Sequence, residues 1–256
     1  MKPIAVILLV LTAALAAGSA AIFGCEICRA GYDKAHRVIT RQFPASRERR
    51  ERIIATQAAQ MKPGGAVILG DSIVELQTFD SLCGLPVLNA GLSGSTTGGL
   101  AARSAAIISA ARPSLVVFAV GVNDGHGGKM SQGDEWLTQY RMLLRSAGTA
   151  KIIIVGIQPI EPGMRNSGAY DMAGIAARNR AIERLAAEAG AIHVRPMPDA
   201  AGMTTDGVHL NAAGMRRWQA KLASACPAVA SASFTPWRAP ADIARSRSSR
   251  TSRRGG

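Results

Sequence analysis

The strongest constraint on the fold is an alternation of two periodicities. Beyond Pro63-Gly64-Gly65, short apolar or β-branched runs alternate with longer segments of helical spacing. Ala66–Leu69, Pro86–Asn89, Leu115–Val120, Ile152–Ile157 and Ala191–Val194 read as strands, and their near-continuous apolar character predicts burial on both faces. Thr97–Ala111, Asp134–Ala147, Tyr170–Gly190 and Asn211–Ala225 read as helices, with Gly190 suited to a C-cap and Asn211 to an N-cap. Strands separated by helices cannot pair as hairpins. They predict an α/β fold with a parallel sheet, right-handed crossovers and helices on both faces. In such a sheet ligands collect beyond the carboxyl ends of the strands, so chemistry is sought there.

The flanks are of another kind. After Lys2, Ile4 to Gly24 run for 21 residues without a charge, and about 20 apolar residues suffice to span the hydrocarbon of a bilayer. We read 1–24 as an uncleaved anchor, because Ile22 and Phe23 continue the apolar run past Ser19-Ala20-Ala21, where a signal peptidase would cut. A cleaved signal peptide is the alternative. Either way the remainder is expected outside the cytoplasm. Residues 25–61, with the run Ser46-Arg-Glu-Arg-Arg-Glu-Arg, are expected to form a basic helical stalk. Residues 62–228 form the domain, and 229–256, rich in Arg and Ser, a disordered tail that lacks the apolar surface to fold alone. The formal charge of +13 divides into +5 over 1–61, +3 over 62–225 and +5 over 226–256. A domain that reads nucleic acid gathers positive charge on its own face; here the flanks hold it, which argues against such a partner.

Four cysteines are too few for a disulfide scaffold, though export permits a bridge, and Cys83 with Cys226 is the expected pair. Cys25-Glu26-Ile27-Cys28 has redox spacing, but it abuts the apolar run and no second pair completes a zinc site.

Three strand ends deliver polar residues: Gly70-Asp71-Ser72, then Asn89-Ala90-Gly91-Leu92-Ser93-Gly94, then Gly121-Val122-Asn123-Asp124. Asp206-Gly207-Val208-His209 precedes the last helix. Acyl transfer needs a nucleophile, a base, a carboxylate that fixes the base's tautomer, and donors for the developing oxyanion. Ser72 supplies the hydroxyl. His209 supplies the base, since imidazole is the side chain whose ordinary range lies nearest neutral pH, and Asp206 three residues earlier supplies its carboxylate. Backbone N–H groups of Ser72 and Gly94 and the side-chain amide of Asn123 are the oxyanion donors. Each tripeptide alone is ordinary turn chemistry; all four, in order at strand ends, are a pattern. There is no G-x-S-x-G elbow and no phosphate loop. His126 reads as a solvated loop histidine, with substrate contact as the alternative.

These four segments resemble the four blocks of the SGNH, or GDSL, hydrolase superfamily over residues 65–225. The resemblance implies a three-layer α/β/α sandwich with a five-stranded parallel sheet, flavodoxin-like in order 2-1-3-4-5. It further implies catalytic Ser72, Asp206 and His209, an oxyanion hole of Ser72, Gly94 and Asn123, and no metal or cofactor. Leu69 stands where the family often has phenylalanine, and no glycine follows Ser72 closely; both departures concern packing. The implied function is a serine esterase acting on a small ester or on an acylated carbohydrate or lipid. The short interval from Ser72 to Gly94 and an aromatic content of 4% favour a short acyl group. Two rivals use the same chain: an O-acyltransferase, separated by product analysis with an added sugar acceptor, and a membrane-anchored binding protein, separated by failure to react with a fluorophosphonate.

Overall fold

The computed structural model describes residues 46–127 and 133–231. The apolar run at 4–24, the Cys25/Cys28 pair, most of the expected stalk and the tail beyond Ser231 lie outside the described residues. Among the described residues no helix is long and apolar enough to cross a membrane.

The chain divides at Ile54. Of the first unit, residues 46–53 are described: they are helical and carry Arg47–Glu51 and Glu48–Arg52 pairs at helical i,i+4 spacing, the arrangement that supports an exposed helix face. The second unit begins with helical residues 54–60, where Ile54 and Ala58, one turn apart, are buried in its core. That unit therefore begins eight residues before the expected boundary at 62.

Its elements follow in order: β1 (Ala66–Gly70), α1 (Ser72–Glu75), β2 (Ser81–Leu82), β3 (Leu85–Gly91), α2 (Thr97–Ala111), β4 (Leu115–Ala119), α3 (Asp134–Ser146), β5 (Lys151–Val155), α4 (Met172–Ala189), β6 (Ile192–Val194), α5 (Ala212–Ala223) and α6 (Cys226–Ser231). The sheet runs β2-β3-β1-β4-β5-β6. Five strands are parallel and keep the expected 2-1-3-4-5 order; the sixth, β2, adds an antiparallel edge of two residues against the start of β3. Two residues carry no period, which is why the sequence shows five strands. The result is a three-layer α/β fold. Ile68, Leu69, Phe118, Ile153 and Ile154 are fully buried at the sheet's centre, as strands covered on both faces require.

Register fixes where the site lies. Gly70 at the end of β1 stands beside Gly91 of β3 and Ala119 of β4. The residues that follow each strand thus emerge at one edge. At the C-terminus one expectation, the cysteine pairing, holds and one, the start of the tail, does not. Cys83, in the turn between β2 and β3, is disulfide-bonded to Cys226. Helix α6 then continues to Ser231, beyond the expected start of the tail at 229, because Val229 is buried in the core.

Candidate active site

Ser72 opens α1, a single helical turn whose short length is compensated by caps at both ends. Asp71 accepts the Ile73 N–H at 2.9 Å. At the other end Asn89, on β3, donates through Nδ2 to the carbonyls of Val74 (2.8 Å) and Gln77 (2.7 Å), while its Oδ1 accepts the Gly91 N–H at 2.9 Å. One side chain thereby satisfies the carbonyl end of the turn and holds it on the sheet. Gly91 is required by this packing: a Cβ there would lie 2.3 Å from the Glu75 nitrogen.

The next two strand ends are tied to each other. Ser93 donates from N and Oγ to the Glu75 carboxylate at 2.5 and 2.6 Å. Asn123 donates through Nδ2 to the Ser95 carbonyl at 3.0 Å, one residue past Gly94. Asp124, fully buried, accepts from the N–H and hydroxyl of Thr97 at 2.9 and 3.0 Å, and Trp136 Nε1 donates to the same hydroxyl at 3.1 Å. Gly94 and Asn123 are therefore parts of one hydrogen-bonded ledge.

The third component comes from the loop before α5. Ser72 Oγ lies 3.0 Å from His209 Nε2, and His209 Nδ1 lies 2.8 Å from Asp206 Oδ2. Asp206 Oδ1 accepts the N–H groups of Val208 (3.0 Å) and His209 (2.9 Å), and Asn166 Nδ2 donates to Oδ2 at 2.7 Å. Asn211 caps α5 through the Ala213 and Gly214 N–H groups, as its position predicts. Ser72 and Asp206 are each 8% exposed, so their hydrogen bonds face little competition from water.

Two carboxyl groups beside this chain are shifted in opposite directions. Burial alone would raise Asp206, but the backbone N–H of His209, its ring, the Val208 N–H and the imidazole's charge together hold it at about 2, below its ordinary 3.8. It therefore contributes stability that is present above the ordinary carboxylate range and is lost as pH falls from about 4 toward 2. Asp71 is pushed up to about 7, first by burial and then by the charge of Asp124, against the Ile73 N–H, the charge of His209 and its own backbone N–H.

Of the residues expected from sequence, Ser72, His209 and Asp206 form one hydrogen-bonded chain, and Asn123 meets the turn that carries Gly94. His126 departs from the solvated-loop reading: it is half-buried, its ring stands edge-on to Tyr170 at 5.1 Å between centroids, and its buried Nδ1 has no hydrogen-bond partner among the described residues. His193, on β6, is held below its ordinary range by burial. Sequence reading missed Asn166, Glu161, Glu75 and Asn89, the side chains that hold the site together. Asn89 stands inside a strand, where an amide needs a partner. That was the one available signal. Asn166 lies in Arg165-Asn166-Ser167-Gly168, which by itself says only turn.

The model of the GDSL-like lipase/acylhydrolase family matches residues 68–217. No curated protein matches the chain. Among solved structures, a lipase/acylhydrolase from Enterococcus faecalis superposes with a TM-score of 0.57 at 17% identity, covering 69% of this chain and 100% of its own. A GDSL-like lipase from Bacteroides thetaiotaomicron gives 0.57 at 19% identity, with 69% and 97% covered. The acetyl xylan esterase AlAXEase gives 0.52 at 21% identity, with 63% and 98% covered. At these identities the likeness is one of fold.

Proposed function

Because the chain belongs to the GDSL-like lipase/acylhydrolase family and is thus a hydrolase acting on esters, we propose that Ser72 is its nucleophile, His209 its general base and Asp206 the carboxylate that orients that base. The observation that carries this reading is the unbroken chain of 3.0 Å from Ser72 Oγ to His209 Nε2 and 2.8 Å from His209 Nδ1 to Asp206 Oδ2.

With Nδ1–H donated to an ionised Asp206, Nε2 presents its lone pair to the serine hydroxyl. Attack of Ser72 Oγ on the ester carbon transfers the hydroxyl proton to Nε2, and Asp206 stabilises the imidazolium formed. Negative charge develops on the former carbonyl oxygen. Its donors are the backbone N–H groups of Ser72 and Gly94 and the Asn123 amide, which keeps a second N–H beyond the one given to Ser95. Collapse expels the alcohol, which takes the proton back from Nε2 and leaves an acyl-Ser72 ester. Water, deprotonated by the same nitrogen, repeats the sequence in reverse and frees the acid.

A short acyl group on a carbohydrate or lipid outside the cytoplasm is the substrate class we favour. Export is supported by the apolar N-terminal run and by the Cys83–Cys226 bridge, of a kind that persists in oxidising compartments. An alkaline phosphatase fusion after residue 61 should be active; an inactive one contradicts export. For the chemistry, the full chain in detergent is assayed on p-nitrophenyl esters from acetate to palmitate. The expected optimum is acetate or butyrate, and Ser72→Ala should lower kcat by at least about 10³-fold. Undiminished turnover in Ser72→Ala removes that residue from the mechanism.

A further inference from the structure

The segment between β5 and α4 touches both sides of the site. On one side, the Glu161 N–H donates to the Gly207 carbonyl at 2.9 Å. The Glu161 carboxylate accepts the N–H groups of Gly202 (2.7 Å) and Thr204 (3.2 Å) and the Thr204 hydroxyl. Gly207 has φ +101°, and a Cβ on it would stand 3.0 Å from Met164 Cβ and 3.2 Å from the Glu161 carbonyl oxygen, so the loop carrying Asp206 presses directly on this segment. On the other side, the Gly127 N–H donates to the Ala169 carbonyl at 2.9 Å and the Asp171 N–H to the Gly125 carbonyl at 2.8 Å, just past Asn123. Between these attachments stands Asn166. Its backbone N–H donates to the Asp206 carbonyl at 2.9 Å, and its Nδ2 to Asp206 Oδ2 at 2.7 Å.

Oδ2 is the oxygen that faces His209 Nδ1. A carboxylate offers about four acceptor positions, and in Asp206 all four are engaged: two on Oδ1 by Val208 and His209 backbone, two on Oδ2 by His209 and Asn166. Accordingly we infer that Asn166 is a positioning residue of the hydrolytic reaction, acting through Asp206 by fixing the plane of its carboxylate against the imidazole and by sharing the charge of Oδ2. The inference rests on the assignment of Ser72, His209 and Asp206 made above. The shared charge has a consequence of definite sign. Without the amide donor, Oδ2 acts on His209 undivided, favours the imidazolium and moves the ring's titration to higher pH. Among the described residues, the titratable groups that face this pair are the Tyr170 phenol, which senses Asp206, and Asp71, whose charge reaches His209.

The test uses the full chain in detergent with labelled histidine. There are only four histidines, so the His209 ring can be followed by NMR after assignment with His209→Gln. Asn166→Ala removes the donor; Asn166→Leu removes it while nearly keeping side-chain size; Asn166→Gln keeps an amide. In the first two, kcat should fall about ten- to hundredfold, the scale of losing one hydrogen bond to a charged group. KM should stay within about twofold. The His209 titration and the acidic limb of kcat/KM should both move to higher pH, and Asn166→Gln should recover part of both effects. Unchanged kcat in Asn166→Ala and Asn166→Leu overturns the inference. So does a fall in kcat with the His209 titration unmoved, because a merely structural role predicts that result. Ser72→Ala is assayed alongside: if it keeps full activity, the triad reading fails, whatever Asn166 does.

Discussion

The two halves of this site are built by different means. Ser72, Gly94 and Asn123 leave the ends of three adjacent parallel strands, whose register sets Gly70, Gly91 and Ala119 side by side. Their positions follow from the sheet, and a few short contacts suffice to finish them. Asp206 and His209 have no strand beneath them: β6 ends at Val194, and the intervening loop is held by side chains, chiefly Glu161 and Asn166. The carboxylates on the two halves show the same contrast. Asp71, built into the strand end and wholly buried, has few donors, the Ile73 N–H chief among them, and is raised to about 7; Asp206, on the loop, collects four donors and is lowered to about 2. Packing places a group, but donors and a neighbouring positive charge are what keep a buried carboxylate ionised.

If that contrast is right, the isosteric change Asp→Asn should be ruinous on one half and mild on the other. Asp206→Asn presents an amide that cannot both accept from His209 Nδ1–H and offset the imidazolium's charge. The expected fall in kcat is about 10³- to 10⁴-fold, as for the corresponding change in other serine triads. Asn123→Ala, which removes one proposed oxyanion donor from the strand-built half, should cost less, about 10²- to 10³-fold. Steady-state kinetics on p-nitrophenyl acetate measures both. An Asp206→Asn enzyme more active than Asn123→Ala would mean that the loop-built half contributes less than the ledge, and the contrast would be reversed.

The same division explains what the sequence disclosed. The five parallel strands were legible because Ile68, Phe118 and Ile153 lie in continuous apolar runs with strand-end tripeptides at their ends; their order was implied only by the family resemblance those tripeptides carry. The pairing of Asp206 with His209 was legible from a three-residue interval. Asn166 was not, since it is 40 residues from Asp206 and nothing local marks it. Glu161 is comparably distant from Gly202 and Thr204, at 41 and 43 residues. Strand β2 and helix α1 are two and four residues long, shorter than the periods that would reveal them. The burial of Ile54 and Ala58 was hidden by the charged residues interleaved before them, which read as a solvated helix. Sequence pattern reports elements that bury a face; it is silent on polar side chains that meet only after folding.

The mildest effect expected from the comparison is at Asp71, and it lies in stability. The folded pKa of about 7 stands above the ordinary 3.8, so between these values the native state binds more protons than the unfolded chain. Stability therefore falls as pH rises through that window, and above about 7 the full cost of an ionised, buried Asp71 persists. Asp71→Asn keeps an Oδ1 acceptor for the Ile73 N–H and removes the ionisation. The variant and the parent should melt together near pH 4, separate as pH rises, and differ at pH 8 by several degrees in favour of the variant, at about 2–4 °C per kcal/mol for a domain of this size. Contributions from Asp206 and His193 are common to both proteins and cancel in the difference. Turnover should stay within about threefold, because no proton of the mechanism passes through Asp71. A variant less stable than the parent at pH 8, or one whose kcat falls as far as that of Asn123→Ala, would show that the Asp71 charge supports His209 directly, and the two carboxylates would then be partners in one task.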